Sequence, residues 1–244
     1  NNVFAHNREL RRFASAVKKL LKENGIFVVE VQYLVDLVKN GYFDMIYHEH
    51  TSYHHIKPLK LMMNNIGMKL VEAKKVNTHG GSIRLIFKKT NLDYTLFNEL
   101  INEEDIFNST IDKNMEFLQN SINKFKKDFE KKILYLSKEY NCIYGYAAPA
   151  KLVTLLSILD KNIVNQLEFI IDDSNLKQNK YLPVSGLQIL GTKDAIEKIN
   201  QRKSACIIFA WNVADDIRER ISKSDLNPDL IVVPLPKVKE YNEI

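Results

Sequence analysis

Apolar positions in the first third of the chain recur with two different periods. From Arg8 to Glu23 they fall at Leu10, Phe13, Val17, Leu20 and Leu21, the spacing of one helical face, and Gly25 stops the run. GIFVVEVQYL (25–34) is a short β-branched apolar stretch bounded by glycine, which predicts a buried strand of the kind found in parallel sheets. Residues 36–57 are polar and aromatic and predict a long connection. Pro58 is suited to open a helix, running through LKLMMNNI to Gly67. MKLVEAKKV and SIRLIFKK then alternate on either side of THGG, which predicts two strands joined by a short loop.

The pattern changes at residue 91. Glycine and proline vanish, and Leu, Ile, Phe and Lys recur at three- and four-residue spacing, predicting two helices, the second long (about 112–139). A charged amphipathic helix of this kind is a spacer or a packing arm. From 141 onward strands and helices alternate: NCIYGYA, PAKLVTLLSIL, LEFIIDD, TKDAIEKINQ, ACIIFAW, VADDIRERIS and DLIVVPLP. Repeated βα units predict a parallel sheet covered by helices. The reading is an α/β chain in three parts: an α/β piece (1–90), a helical linker (91–140) and a second α/β domain (141–244).

Composition narrows the function classes. The 244 residues are 45% hydrophobic and 27% charged, which fits one large or two ordinary folded domains. The net charge of +5 is scattered lysine, without a basic tract interleaved with stacking aromatics, so nucleic acid is not an expected partner. No apolar run approaches the ~18–20 residues of a membrane span, and no signal peptide is visible. The expected compartment is the cytoplasm. Cys142 and Cys206 sit in apolar strand-like runs and read as buried, inert thiols.

The chemistry concentrates in FDMIYHEHTSYHH (43–55), which holds four of the six histidines: His48, His50, His54 and His55. Histidine exchanges protons near neutral pH, and Glu49, Tyr47 and Tyr53 add an acid and two donors. On an extended chain His48 and His50 share one face and Glu49 the other. Three readings stay open: general acid–base work, a metal held by the His-x-His pair with His54 or Glu49, and surface histidines without a role. In THGGSIR, Gly80-Gly81 permits a tight turn or a close ligand approach beside His79 and Arg84. YGYAAPAK ends a strand and starts a helix, whose free N–H groups, with Lys151, suit a phosphate. Ligands of open α/β sheets lie beyond the carboxyl ends of strands, which makes Asp172, Asp173, Ser174, Lys177 and Tyr181 candidates, and likewise Trp211 and Asn212.

NNVFAH, the following helix, GIFVVEVQYL, FDMIYHEHTSY, THGGSIR, YGYAAPAK, IDDSNLKQNKY and AWNVADDI, in this order along nearly the whole chain, resemble the S-adenosylmethionine-dependent sugar C-methyltransferases. The resemblance implies a partial Rossmann-like methyltransferase sheet, a helical linker and a second Rossmann-like α/β domain. It places residues 1–90 in the C-terminal half of a class I methyltransferase domain and 141–244 in a domain that holds the nucleotide sugar. It implies methyl transfer to the carbon beside the ketone of a nucleotide-linked keto-deoxysugar. His50 becomes the base, Glu49 its orienter or a sugar ligand, and Tyr47 and His6 donors near the developing oxyanion. His79, Arg84, Lys151, Ser174, Lys177, Tyr181, Trp211 and Asn212 are implied for the substrate, and Asn2 and Phe4 for the cofactor. The cysteine-rich zinc domain and the glycine-rich cofactor loop of such enzymes are not in this chain. The expectation is therefore a chain beginning mid-domain, inactive alone, whose partner is the missing N-terminal segment, with zinc confined to that segment. Two alternatives stand beside it: a nucleotide-sugar-binding module or subunit without its own cofactor site, and a metal-dependent isomerase built on the histidines.

Overall fold

The structure is a computed structural model that describes residues 1–92, 94 and 97–242, without the side chain of His79. It is α/β and divides into two compact units, Asn1–Asn120 and Ser121–Ile244.

The first unit opens with a 3-10 turn, Phe4–His6, and continues through α1 (Leu10–Leu20), β1 (Ile26–Gln32), α2 (Leu34–Asn40), a second 3-10 turn (Phe43–Met45), α3 (Ile56–Asn65), β2 (Lys69–Val76), β3 (Ser82–Lys88) and α4 (Asn98–Ser109). Its sheet has the order β1-β3-β2 and both pairings are antiparallel, with Val29 opposite Leu85 and Val31 opposite Ile83. The parallel arrangement expected for GIFVVEVQYL is thus overturned. An apolar β-branched run fits either kind of sheet, and here β3, folding back along β2, takes the edge of β1. The stretch 36–57 is also more structured than expected. Leu34–Asn40 forms a helix that buries Val35, Leu37 and Val38 and stops at Gly41, whose φ of 66° is the left-handed C-terminal cap. Pro58 lies third in α3 rather than first, still within the turn where a missing N–H costs nothing. The helix starts earlier because the buried carboxylate of Glu104 in α4 accepts the N–H groups of Ile56 and Lys57.

Helix α5 (Ile111–Glu139) crosses from one unit to the next, and in the second unit buries Phe129, Ile133 and Leu136 along one helical face. The second unit continues with β4 (Cys142–Tyr146), α6 (Lys151–Ser157), α7 (Lys161–Val164), β5 (Ile170–Ile171), β6 (Ile189–Leu190), α8 (Thr192–Ile199), β7 (Ser204–Ile208), α9 (Ala214–Ser222), β8 (Leu230–Val233) and β9 (Lys239–Tyr241). The sheet order is β6-β5-β4-β7-β8-β9, parallel except for the last pair. All of β4, β7 and β8 is buried, as strands covered on both faces require, around a core that includes Tyr144, Phe169, Cys206, Ile208 and Ile231. The chain leaves β4 toward β5 on one side and returns with β7 on the other. That makes the carboxyl ends of β4 and β7 a switch point, where open α/β sheets receive ligands. Among the described residues no helix is long and apolar enough to cross a membrane.

Candidate active site

The histidine loop does not run extended. His50 N–H donates to the Tyr47 carbonyl at 3.0 Å, so residues 47–50 form a tight turn. The expected alternation is therefore replaced by a different partition. Tyr47 and His50 come together at the base of the turn, while His48 and Glu49 sit at its tip with side chains 75% and 50% exposed, 4.0 Å apart. The tip pair points to solvent because a turn, unlike a strand, puts its first and last residues on one side.

The His50 ring is fixed by two contacts. Nδ1 lies 3.1 Å from the carbonyl oxygen of Met45, and Nε2 lies 3.1 Å from the hydroxyl of Tyr47. A carbonyl only accepts, so Nδ1 carries a proton, and in the neutral imidazole Nε2 is then the nitrogen that accepts from Tyr47. Burial, followed by the charge of Glu49 and the neighbouring Tyr53, raises the Tyr47 pKa, which keeps its phenol protonated and donating. His6 reaches the same place from the N-terminal 3-10 turn. Thr51 donates both its N–H and its hydroxyl to the Ala5 carbonyl, at 3.0 and 3.1 Å, and this clamp brings the rings of His6 and His50 to 5.0 Å.

These side chains border a cavity of about 110 Å³ whose wall includes Asn2, His6, Gln32, Tyr47, His50 and Ser82. Tyr47, His50, His6 and Asn2, all singled out from sequence, meet there. Gln32 and Ser82 were not foreseen. Gln32 ends β1, is 6% exposed, and neither end of its buried carboxamide has a partner among the described residues. A buried polar group left unpaired costs roughly 1–3 kcal/mol. The signal was present in VVEVQYL, where Glu30 and Gln32 interrupt an apolar run two residues apart and so share one face of the strand.

Other expected residues are placed differently. Phe4 is 3% exposed and packs against Phe13, Phe27 and His54, so its ring belongs to the core rather than to the cavity wall. Arg84 stands opposite Glu30 in the β1–β3 register and donates to it from Nε at 2.7 Å and Nη2 at 2.6 Å, while Thr78 donates its hydroxyl at 2.7 Å. Burial works to raise the pKa of Glu30, but the Thr78 hydroxyl and the Arg84 guanidinium more than offset it and hold the carboxyl below its usual range. The side chain of His79 lies outside the described residues. His54 is buried, and desolvation, with the charges of His50 and His55 adding to it, pushes its pKa down to about 4. His55 is lowered too, chiefly by burial, against the pull of Glu104. Among the described residues no three His, Cys, Asp or Glu side chains gather as a metal set would.

In the second unit the candidates gather at the carboxyl ends of β4, β5 and β7. Lys151 is 7% exposed, lies over the Trp211 ring at 4.4 Å and donates to Asn212 Oδ1 at 2.9 Å. Asp172 accepts from the N–H groups of Ala148 and Ser174 and from Lys177 Nζ, which also donates to the Ala148 carbonyl. Ser174 borders a second cavity of about 290 Å³, together with Tyr146, Asp172, Asp173 and Arg220. Arg220 and Tyr146 both hold Asp173, at 2.9 Å each. Tyr181 is 65% exposed beyond this cluster.

Comparison with known proteins bears on both units. Residues 77–236 match a family described as the C-methyltransferase C-terminal domain. Over 237 residues the chain is 27% identical to "C-methyltransferase NovU" of Streptomyces niveus, covering 96% of this chain and 56% of that protein. The chain thus spans a little over half the length of this curated relative.

Proposed function

The chain belongs to the C-methyltransferase C-terminal domain family, and from that premise we propose that it serves methyl transfer from S-adenosylmethionine to a carbon adjacent to the ketone of a nucleotide-linked keto-deoxysugar. The observation that carries this reading is the state of His50. Met45 holds Nδ1 as the donor, so Nε2 is the accepting nitrogen at the cavity wall, hydrogen-bonded to the Tyr47 hydroxyl that a substrate hydrogen would have to displace. Hydrogen on carbon beside a carbonyl is weakly acidic, and His50 Nε2 takes it, passing the electron pair into the enolate. Tyr47 and His6 face the same small space, and a donor aimed at the developing oxyanion is worth roughly 3–4 kcal/mol. Met45 already orients His50, so Glu49, half-exposed at the tip of the turn, is assigned to the sugar rather than to the base.

The fit to the cofactor is partial. A cavity of about 110 Å³ is below the ~300 Å³ of ordinary ligand pockets. It suits the reacting end alone, with Asn2 in its wall as the residue that would hold the cofactor there. When bound, S-adenosylmethionine supplies the methyl group. The small cavity also favours a second reading, a nucleotide-sugar-binding module whose cofactor site is elsewhere. In either case the second unit, with Lys151, Trp211, Asn212, Ser174, Lys177 and Tyr181, is assigned to the nucleotide part of the substrate, while Arg84 is taken up by Glu30. A cytoplasmic location fits a reaction on nucleotide sugars.

The test is mass spectrometry of the full-length protein encoded by the reading frame, given candidate nucleotide keto-sugars and S-adenosylmethionine with a ¹³C methyl group. A new carbon–carbon bond to the labelled methyl supports the proposal. Label on oxygen or nitrogen, or on no substrate, contradicts it.

A further inference from the structure

We propose that Gln32 is a substrate-recognition residue of the His50 cavity, selecting a sugar that carries a hydroxyl beside the reacting carbon. The inference rests on the keto-sugar reading above and adds a contact to it. Three observations support it. The side chain is 6% exposed at the end of β1, inside a rigid sheet rather than on a loop. Both Oε1 and Nε2 are buried without a partner among the described residues, although two nearby polar side chains of the same sheet are paired: Ser82 donates to the Thr78 carbonyl, and Glu30 holds Thr78 and Arg84. And Gln32 borders the cavity that Tyr47, His50 and His6 also wall.

A leucine would fill this position without leaving polar atoms unpaired, and Val28, on the same face of β1 as Gln32, shows that this face accepts an apolar side chain. The carboxamide offers one acceptor and two donor hydrogens in a plane. A ligand satisfies both ends only if it brings a donor and an acceptor close together. A hydroxyl group is both at once, and a hydroxyl next to a ketone supplies a second acceptor. A methylene at that carbon satisfies neither end. Sites built to hydrogen-bond a substrate hydroxyl reject the analogue lacking it far more strongly than apolar pockets reject an extra group.

The test uses the full-length protein and its Gln32→Leu variant. Two probes are prepared: a nucleoside-diphosphate-linked 4-keto-6-deoxyhexose with its C2 and C3 hydroxyls in place, and the analogue with the hydroxyl nearest the reacting carbon removed. Calorimetry reads binding of each, and thermal unfolding without probe reads stability. The expected result is that Gln32→Leu weakens the hydroxylated probe at least tenfold, about 1.4 kcal/mol, leaves the deoxy probe within twofold, and melts no lower than the parent. Equal losses for both probes, no loss for either, binding of neither by the parent, or a clearly lower melting temperature would each overturn the assignment. Methyl transfer is read separately. Gln32-dependent binding of a probe that is never methylated supports Gln32 and sinks the transfer reaction instead.

Discussion

Replacing Arg84 by alanine separates a structural role from a substrate role. In the structure its guanidinium is paired with Glu30, whose side chain is 2% exposed while that of Arg84 is 33% exposed. Alanine would leave the carboxylate buried with the Thr78 hydroxyl as its remaining side-chain donor among the described residues. Breaking a buried pair from one side costs about 3–5 kcal/mol, and the partial exposure of Arg84 lets water reach the site, which sets the expected loss at about 2–3 kcal/mol. For a unit of this size that is a melting temperature lower by roughly 10 °C. The effect has a pH signature. The Glu30 pKa is lowered in the folded protein, so its ion pair adds stability above the unfolded carboxylate pKa, and that stability is lost as pH falls through the folded value. Without Arg84 the buried carboxyl protonates more easily, so the gap between parent and variant narrows in acid. Adding Glu30→Gln to the variant removes the stranded charge and regains part of the loss. Urea unfolding followed by far-UV circular dichroism at pH 7 and pH 4 measures all of this. An Arg84→Ala protein within 0.5 kcal/mol (about the spread expected of neutral surface changes) of its parent at pH 7 would refute the reasoning and return Arg84 to the substrate.

Two further outcomes follow from packing and titration. His54 stays neutral in the fold down to about pH 4, while an unfolded histidine protonates near 6.5. The unfolded state therefore binds more protons between those values, and stability falls by about 2–3 kcal/mol as pH drops through that window. His54→Gln should flatten this slope, and an unchanged slope in the variant would place the titration elsewhere. Gly145 in β4 has no room for a side chain: a Cβ there would clash with Ile170 Cδ1 and stand 2.6 Å from the Phe209 ring. Gly145→Ala should cost about 1–3 kcal/mol in thermal unfolding, and a variant as stable as the parent would show that the ring moves freely.

The strongly periodic parts of this fold were legible. The helices over 98–109 and 111–139 and the βα units from Cys142 onward follow their hydrophobic spacing closely. What the pattern missed was short or context-dependent. Strands β6 and β9 have two and three residues, too few to show alternation, and the four-residue α7 makes a single turn. The direction of β1 was misjudged because burial sets its composition while β3 sets its pairing. In the candidate site the residue types of Tyr47 and His50 were visible, but their meeting depends on one turn hydrogen bond that alternation could not anticipate. Phe4 looked like a cavity residue because its neighbours Asn2 and His6 line the cavity, yet a 3-10 turn sends its ring into the core. Gln32 carried a signal only jointly with Glu30, two residues before it on the same strand face, and that pair reads equally as the polar face of a strand.

The claim on which the mechanism depends is proton removal from carbon by His50. Its direct measure is deuterium wash-in beside the ketone of a bound nucleotide keto-sugar in heavy water, without methyl donor, comparing the full-length protein with its His50→Asn variant. A parent that exchanges this position at least ~100-fold faster than the variant, the lower end of what a placed general base contributes, is the result the account predicts. Equal exchange in the two proteins would contradict it.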